Sequence, residues 1–320
     1  MDRLSRGPGI RCGVPRTEPH GTAKDRDSAL ALEYAELSIV SWNVENVARL
    51  RAAPQELAAW HDRLGSPDVL CLQELRVRDQ DAQAVADLRR GIPGWAGAFS
   101  LNRDERNVTF RGGRAYGVGT WTRNDLDAQS FRPEWDREGR VLVSILPAWK
   151  LVVVNVYAVN GTAKPYYDHD HGRFVGDRHA FKRRFITQLG ELVRDLQNEA
   201  PVILIGDWNV SQTAQDTYPR LRTEEPHALA RREFAEGFVA QLRLADVFRH
   251  RHPRAHQYTW FNPRARYRPD AARVDFALIS ESLLPRVVDV SIDEADAAFK
   301  AVSDHVPVRI SLRSSPEKTP

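Results

Sequence analysis

The chain is poor in cysteine: 2 of its 320 residues are Cys, and they lie far apart in different surroundings. Cys12 lies in a polar N-terminal segment, whereas Cys71 lies in an apolar run. Two such residues provide neither a disulfide framework nor the spacing of a zinc site, which is typical of a reducing compartment. The sequence also lacks an apolar run long enough to cross a bilayer and an N-terminal apolar block of the secretory kind. We therefore expect a cytoplasmic protein with no membrane partner.

An excess of charge of one sign is also missing. The chain has 46 basic and 43 acidic residues, and its net charge of +3 is small for a nucleic-acid-binding protein. Most basic residues are arginine, which binds phosphate through paired N–H groups. However, an arginine-rich and lysine-poor composition is equally expected from a GC-rich coding sequence. Composition alone therefore neither indicates nor excludes a nucleic-acid partner.

The pattern along the chain predicts one folded domain between two tails. Residues 1–35 and 314–320 have no hydrophobic periodicity, which predicts a disordered N-terminal tail and a short C-terminal tail. Residues 36–313 show no internal repeat and no linker, so they are predicted to form one domain. Nine short apolar runs, mostly β-branched, predict strands: LSIVSW, DVLCLQ, YGVGTWT, RVLVSIL, KLVVVNVYA, PVILIGDW, RVDFALIS, VVDVSI and HVPVRISL.

Two segments carry the three- and four-residue apolar spacing of a helix, namely DQDAQAVADLRR and DRHAFKRRFITQLGELVRDLQNEA. Several predicted strands follow one another without a helix between them. This order favours antiparallel or mixed sheets with helices outside over a uniform alternation of strand and helix.

Polar side chains recur where the predicted strands begin or end. Six clusters stand there: Asn43 with Glu45; Glu74; Tyr157 with Asn160; Asp207 with Asn209; Asp275; and Asp304 with His305. Each cluster alone is an ordinary turn or helix cap. Because six such clusters stand at strand ends, we expect them to come together in one site.

The residue types in these clusters indicate the chemistry. Several carboxylates and side-chain amides, with no cysteine and one well-placed histidine, form a hard-oxygen site suited to Mg²⁺ or Mn²⁺. Hydrolysis of a phosphodiester needs a group that activates water, positive charge at the phosphate oxygens and stabilisation of the departing oxygen. The clusters contain a candidate for each requirement.

The ordered motifs WNVEN, LQE, YxxNG, GDWN, RVD and SDH resemble those of the endonuclease/exonuclease/phosphatase superfamily, and in particular the exonuclease III type of apurinic/apyrimidinic endonuclease. The resemblance extends from about Leu37 to about Leu312. It implies a deoxyribonuclease I-like, four-layer α/β sandwich: two mixed sheets packed face to face between outer helices. The active site of such a fold lies at one edge of the sheets.

The resemblance also implies a metal site. Glu74 matches the principal metal ligand of the family, and Glu45 lies beside it, where many repair members have Asp. Asn43 and Asp304 match residues that help to hold the metal or a water near it. The implied cofactor is Mg²⁺ or Mn²⁺.

The same motifs imply the catalytic residues. Asp207 matches the residue that activates or aligns the attacking water, and Asn209 matches the amide that positions it. Three residues match family residues that contact the phosphate: Tyr157, Asn160 and His305. Asp275 matches the carboxylate that orients the histidine, which fixes the tautomer and favours the charged ring.

The substrate is predicted from the segment QYTWFNPRARYRPDAARVD, which resembles the Thr-Trp segment and basic loop of the repair nucleases. It provides the candidate substrate-binding residues Trp260, Arg264, Arg266 and Arg273, since arginines bind backbone phosphates and aromatic rings stack on bases. Two features depart from the family pattern. Ala272 stands where repair members often have an aromatic residue, and the loop 162–178, rich in His, is longer than usual and is predicted to be solvated and mobile.

We therefore predict a metal-dependent phosphodiester hydrolase that binds DNA as a monomer. It would be a DNA repair nuclease resembling exonuclease III, which cuts at abasic sites or trims 3′ ends. The alternative is a phosphodiesterase or phosphatase of the same superfamily that acts on RNA, a lipid headgroup or a small phosphate ester. A non-catalytic nucleic-acid-binding module is the least favoured hypothesis, because binding alone does not need the catalytic carboxylates.

Overall fold

The computed structural model describes residues 36–50, 56–107, 116–218, 227–263 and 270–314. The strands in these ranges, numbered β1 to β16, are Glu36–Asn43, Val69–Gln73, Trp95–Ser100, Val118–Arg123, Gln129–Phe131, Val141–Leu146, Leu151–Tyr157, Pro165–Asp168, Arg173–Asp177, Val202–Asp207, Leu244–Asp246, Trp260–Phe261, Ala271–Ala272, Asp275–Ser280, Val287–Ile292 and Val308–Arg313. The α-helices, α1 to α6, are Glu56–Arg63, Ala82–Arg89, Arg178–Glu199, His227–Phe234, Val247–Arg251 and Ala297–Val302. Apart from Ser314, the predicted tails 1–35 and 314–320 lie outside the described residues.

The larger strands form two six-stranded sheets. The first sheet has the order β15-β16-β1-β2-β4-β3, and the second has the order β11-β14-β10-β7-β6-β5. In each sheet one central pair is parallel, β1 with β2 and β7 with β10, while the neighbouring pairs are antiparallel. Both sheets are therefore mixed, as predicted.

The two sheets pack face to face because their central strands are apolar on both faces. Along a strand, successive side chains point to opposite faces. In β7, Val153 belongs to the core shared with the first sheet, whereas Val152 and Val154 belong to a second core beneath α3. The same alternation in β10 places Ile203 in the shared core and Leu204 beneath α3. A strand buried on both faces needs a near-continuous apolar sequence, which explains the run LVVV.

The outer layers are helices. On the second sheet, α3 buries Phe185, Leu189 and Val193, which recur every four residues along one helical face. On the first sheet, Leu57 of α1 and Leu88 of α2 join the core. The predicted four-layer α/β sandwich is confirmed, and so are the nine predicted strands and the two predicted helices.

Among the described residues, no helix is both long and apolar enough to cross a membrane.

The sheets are also joined by hydrogen bonds inside the shared core. The Gln73 side chain, fully buried at the end of β2, donates to Oδ1 of Asn155 in β7 at 2.7 Å. Asn155 donates in turn to the carbonyl oxygen of Gly119 in β4 at 2.9 Å. Buried amides pair because an unsatisfied polar group in a core is costly, so these contacts fix the position of one sheet on the other.

The predicted mobile loop 162–178 is a β-hairpin instead. Strands β8 and β9 pair with Tyr167 opposite Phe174, and the hairpin leads into α3. Tyr166 is buried and stacks on Phe181 of α3, with ring centroids 3.9 Å apart. Residues 170–176 are exposed to solvent, as predicted, but the segment is a paired hairpin instead of an irregular loop. The sequence did not show this because the anchoring contacts come from other parts of the chain.

Gly206 is required by the close approach of β10 to β7. Its φ is +149°, and a Cβ atom built on it would lie 1.9 Å from the carbonyl oxygen of Val156. Any side chain would therefore push apart the two parallel strands that end at Asp207 and Tyr157.

We expect Gly206→Ala to lower the free energy of unfolding by more than about 1 kcal/mol, because the native backbone cannot accept the methyl group. The matched control is Gly237→Ala, since a Cβ atom there has no neighbour within 4 Å. Urea denaturation of both variants measures the difference. Equal stability of the two variants would contradict this role of Gly206.

Candidate active site

Polar residues from both sheets reach one edge because the central strands are parallel. Asn43 ends β1, and Glu74 directly follows the parallel strand β2. Tyr157 ends β7, and Asp207 ends the parallel strand β10. The carboxyl ends of both pairs meet, and Glu74, Tyr157 and Asp207 line a cleft of about 540 Å³, here called the edge cleft.

Antiparallel neighbours bring two more residues to the same edge of the sheets. Asp275 begins β14 and lies opposite Asp207 in the register. His305 precedes β16, which is antiparallel to β1. The carbonyl oxygen of His305 accepts a hydrogen bond from Trp42 Nε1 at 3.0 Å, and its N–H donates to Ser303 Oγ at 3.0 Å. The backbone of the histidine is thus held from both sides.

The imidazole of His305 is paired with a buried carboxylate. Its Nδ1 lies 2.7 Å from Oδ2 of Asp275. Burial lowers the pKa of His305, but the negative charges of Asp275, Asp207 and Asp304 outweigh that effect and raise its pKa well above the ordinary value. At neutral pH the ring is therefore an imidazolium. Nε2 lies 3.8 Å from the nearest Asp304 oxygen, so its N–H can donate to a ligand.

Asp207 is buried at the floor of the edge cleft. Its Oδ2 accepts from Asn43 Nδ2 at 2.9 Å, and its Oδ1 accepts from the backbone N–H of Asn209 at 2.8 Å. Burial raises the pKa of Asp207, the charge of Asp275 raises it further, and the charge of His305 opposes the rise. A carboxylate with a raised pKa is a stronger base toward water, which suits a residue that activates a nucleophile.

Glu74 joins the two sheets across the mouth of the cleft. Its Oε1 accepts from the Tyr157 hydroxyl at 2.9 Å and from Asn43 Nδ2 at 3.1 Å. Its Oε2 accepts from Arg76 at 2.6 Å. Tyr157 is buried, and burial together with the charge of Glu74 raises the pKa of its hydroxyl well above the ordinary value. The hydroxyl therefore stays protonated and remains a donor.

The other predicted metal ligands lie at the rim. Glu45 lines the edge cleft, but its carboxylate accepts from Arg49 at 2.7 Å. Asp304 also lines the cleft, and its Oδ2 accepts from Trp260 Nε1 at 3.0 Å.

Three site residues have a left-handed backbone. The φ angles are +55° at Glu45, +57° at Glu74 and +49° at Asn209. Residues with a Cβ atom rarely adopt this region, and the conformation costs of order 1–3 kcal/mol at each position. Such strain persists only where surrounding contacts fix the backbone, and it is common at functional sites.

Three more predicted residues line the edge cleft as well, namely Asn209, Asn160 and Trp260. The Asn209 side chain donates to the carbonyl oxygen of Ala158 at 2.9 Å. Asn160 is exposed, and Trp260 is half-buried in β12 opposite Ala272 in β13. Arg264 and Arg266 lie outside the described residues.

Arg273 does not face the cleft, which corrects its prediction as a substrate-binding residue. Its side chain is 0% exposed. Its guanidinium group donates to Asp216 at 2.8 and 3.0 Å and to Asp246 at 2.6 and 3.1 Å. A guanidinium held by two buried carboxylates cannot reach a phosphate at the surface. The sequence shows an arginine in a basic segment, but it does not show the distant acids that bury it.

Two basic residues of α3 that the sequence analysis did not single out lie at the edge cleft or in the cavity that adjoins it. Lys182 of α3 lines the edge cleft, and its Nζ donates to the backbone oxygen of Asn209 at 2.8 Å. Burial lowers the pKa of Lys182 to about 8. Arg178, one helical turn earlier, is bound to buried Glu138 through two hydrogen bonds of 2.6 and 2.9 Å. The sequence did contain a signal for this pair, because residues four apart lie on the same face of a helix.

The donor atoms at the cleft fit a hard divalent cation. Among the described residues, Asp207, Asp275 and His305 form a group whose potential ligand atoms all lie within 4.8 Å of one another. The charged ring of His305 has no lone pair for a metal, so the donors of this group are the two carboxylates. Oδ1 of Asp275 is buried without a hydrogen-bond partner in the protein. Glu74 and Asp304 add carboxylate oxygens at the rim of the same cleft. Oxygen donors of this kind bind Mg²⁺, Ca²⁺ or Mn²⁺ in preference to softer metals.

Comparison with known proteins gives consistent results. The sequence profile of the Endonuclease/Exonuclease/phosphatase family matches residues 40–305. An exodeoxyribonuclease of Bacillus subtilis is 25% identical over 290 residues, which cover 86% of this chain and 99% of that protein. The DNA repair nuclease APEX1 of Danio rerio is 27% identical over 299 residues, which cover 87% and 83% of the two chains.

One solved structure extends the comparison to the fold. The 3′ phosphatase NExo from Neisseria, solved with a product DNA hairpin, superposes with a TM-score of 0.66 at 25% identity. The match covers 86% of this chain and 99% of that chain.

We expect Arg273→Ala to lower the free energy of unfolding by about 3–5 kcal/mol, since it leaves buried carboxylates without their partner. Arg90→Ala is the control, because Arg90 is 70% exposed in its pair with Asp87 and such pairs contribute at most about 1 kcal/mol. Urea denaturation measures both variants. If the Arg273→Ala protein keeps its stability but binds substrate more weakly, Arg273 is a substrate-binding residue, as the sequence analysis predicted.

Proposed function

Because the chain belongs to the endonuclease/exonuclease/phosphatase family, we propose that it is a DNA repair nuclease that hydrolyses phosphodiester bonds with the help of a divalent metal ion. It would incise DNA at abasic sites, trim 3′ ends or do both. The curated relatives, which are named exodeoxyribonuclease and DNA repair nuclease and match over nearly the whole chain, support action on DNA.

The observation that carries the proposal is the arrangement of Asp207 and His305 in one cleft. Asp207 has a raised pKa and can accept a proton from water, while the imidazolium of His305 can donate from Nε2. A phosphate bound over both side chains would meet a base for the attacking water and a positively charged donor for one of its own oxygens. Asp275 holds the imidazole through Nδ1 and stabilises its charge.

The neighbouring residues take supporting roles in this proposal. Asn209 lies beside Asp207 and would position the attacking water and the phosphate. The protonated hydroxyl of Tyr157 would exchange its hydrogen bond to Glu74 for one to the reacting group when substrate binds, and Asn160 would bind a phosphate oxygen from the exposed rim.

Glu74, with Asn43, Asp304 and Glu45 near it, would hold Mg²⁺ or Mn²⁺, which supplies positive charge to the phosphate oxygens when bound. Glu74 is the best placed of the four, because it lies between Asn43 and Tyr157 at the mouth of the cleft. Its Oε2 also accepts a hydrogen bond from Arg76 at 2.6 Å, which holds the carboxylate in place at the mouth of the cleft.

The residues that line the edge cleft are consistent with a nucleic-acid substrate. Trp260 and Ala272 form one side of the edge cleft, and Lys182 lies on the opposite α3 side. Asn262 and Asp270, which precede and follow the segment that contains Arg264 and Arg266, also line the edge cleft. We also propose that the protein acts as a monomer. A cytoplasmic location stays a prediction.

We expect Asp207→Asn to reduce kcat by about 10²- to 10⁴-fold, because the amide cannot accept a proton from water. Stability should be kept or increased, since the neutral side chain removes the repulsion between Asp207 and Asp275. Steady-state kinetics and urea denaturation measure the two effects, with Asp289→Asn on the exposed face of β15 as the control. Turnover equal to that of the unmodified protein would show that Asp207 is not the base.

The proposed function is tested with three end-labelled substrates: a duplex with one abasic analogue, a duplex with a recessed 3′ end, and single-stranded RNA. We expect cleavage of at least one DNA substrate with Mg²⁺ or Mn²⁺ and loss of cleavage in EDTA. Incision at the abasic analogue would show that Ala272 is compatible with an abasic pocket. If only the RNA is cut, or no nucleic acid is cut by the folded protein, the substrate is instead an RNA or a smaller phosphate ester.

A further inference from the structure

The hairpin formed by β8 and β9 is firmly anchored beside the edge cleft. Asn107 binds Tyr167 twice: its Nδ2 donates to the Tyr167 oxygen at 2.9 Å, and its Oδ1 accepts from the Tyr167 N–H at 2.7 Å. Below it, the stacked pair of Tyr166 and Phe181 fixes the hairpin on α3. The hairpin therefore presents its outer side chains in a defined position.

The charged residues at the hairpin tip are used for this anchoring. Asp168 is buried, pairs with Arg184 and accepts from the N–H groups of Asp170 at 2.9 Å and His171 at 3.2 Å. His169 lies 3.0 Å from Asp104. These contacts account for the acidic and histidine residues at the tip without a metal ion.

One side chain on the hairpin lacks such an explanation. Phe174 is 64% exposed, although large aromatic side chains are usually buried in proteins. Its ring makes a T-shaped contact with Tyr167, with centroids 5.4 Å apart and planes at 81°. Val175, the next residue, is also 41% exposed. The ring is thus supported from one side and open to solvent on another.

Phe174 lines a groove that adjoins the edge cleft. This hairpin groove has a volume of about 800 Å³ and shares Tyr157 and Asn160 with the cleft. Tyr116 and Pro165 add apolar surface to it. A strand of nucleic acid bound at the cleft would therefore reach the groove by passing these two shared residues.

The rim of the hairpin groove is positively charged. Arg106 and Lys164 are exposed there, and Arg178 lies at the inner end. Behind this rim, Arg140 and Arg178 also line the groove, and both are bound to the buried carboxylate of Glu138. A basic rim around aromatic surface is the combination that binds single-stranded nucleic acid, since cations contact phosphates and rings stack on bases.

We propose that the hairpin groove binds the nucleotide adjacent to the scissile phosphate and that Phe174 stacks on its base when that base is unpaired. This inference rests on the proposed action on DNA. A base inside a duplex is covered on both faces by its neighbours, so an exposed ring can stack only on a base that is unpaired or turned out of the helix. The groove would therefore favour frayed, mismatched or damaged sites over intact duplex.

The test uses the full chain and two DNA duplexes that carry the fluorescent base 2-aminopurine, unpaired, on the 5′ or on the 3′ side of an abasic analogue. Matched duplexes have the 2-aminopurine paired with thymine. Binding is followed in EDTA by anisotropy, and stacking by quenching of the 2-aminopurine fluorescence. Phe174→Ala removes the ring, Phe174→Trp retains a ring, and Phe131→Ala is the control, since Phe131 is a 42% exposed phenylalanine that lines neither cavity.

We expect Phe174→Ala to weaken binding of one unpaired probe about tenfold and to abolish its quenching. Binding of the paired duplexes should change less than about twofold, and Phe174→Trp should restore both signals. If Phe174→Ala binds and quenches both unpaired probes like the unmodified protein, the inference is wrong. A protein that cuts no DNA but loses quenching through Phe174→Ala would contradict the proposed nuclease function and support the stacking.

Discussion

The position of one sheet on the other is the constraint on which the site depends. Glu74 comes from the first sheet and Tyr157 from the second, yet they share a hydrogen bond of 2.9 Å. A shift of one ångström between the sheets would break that contact. The buried hydrogen bond between Gln73 and Asn155 resists such a shift, because it lies in the shared core directly behind the site. Apolar packing alone is not directional, whereas paired amides specify a single relative position.

Backbone strain and buried charge are concentrated at the edge cleft, where the two sheets meet. Glu74 and Asn209 have left-handed backbones directly after β2 and β10, which turns their side chains toward the cleft. Asp207 and Asp275 are two buried acids opposite one another, and the imidazolium of His305 offsets their repulsion. Each of these features lowers stability, and each one serves the proposed chemistry. Such a combination is expected where function, rather than folding, selects the residues.

The sequence predicted the central part of the fold well and the periphery less well. The strands β7 and β10 have near-continuous apolar runs, so their existence and their ends could be read directly. Strand β3, with the sequence WAGAFS, has small residues and weak alternation, and its place at a sheet edge depends on pairing with β4. Arg273 and the hairpin of β8 and β9 could not be predicted for a related reason. Their surroundings are formed by residues distant in sequence, such as Asp246 for the arginine and Asn107 for the hairpin.

The order of the strands along the chain has a consequence for biosynthesis. Strand β1, the first of the described strands, lies between β2 and β16, the last of them. A nascent chain that has not yet emerged as far as His305 therefore lacks the imidazole, and the first sheet lacks the neighbour that closes one side of β1. Asp207 would then face Asp275 without the compensating positive charge. A chain that ends before His305 cannot assemble the site, so the proposed activity would appear only once synthesis has passed this residue.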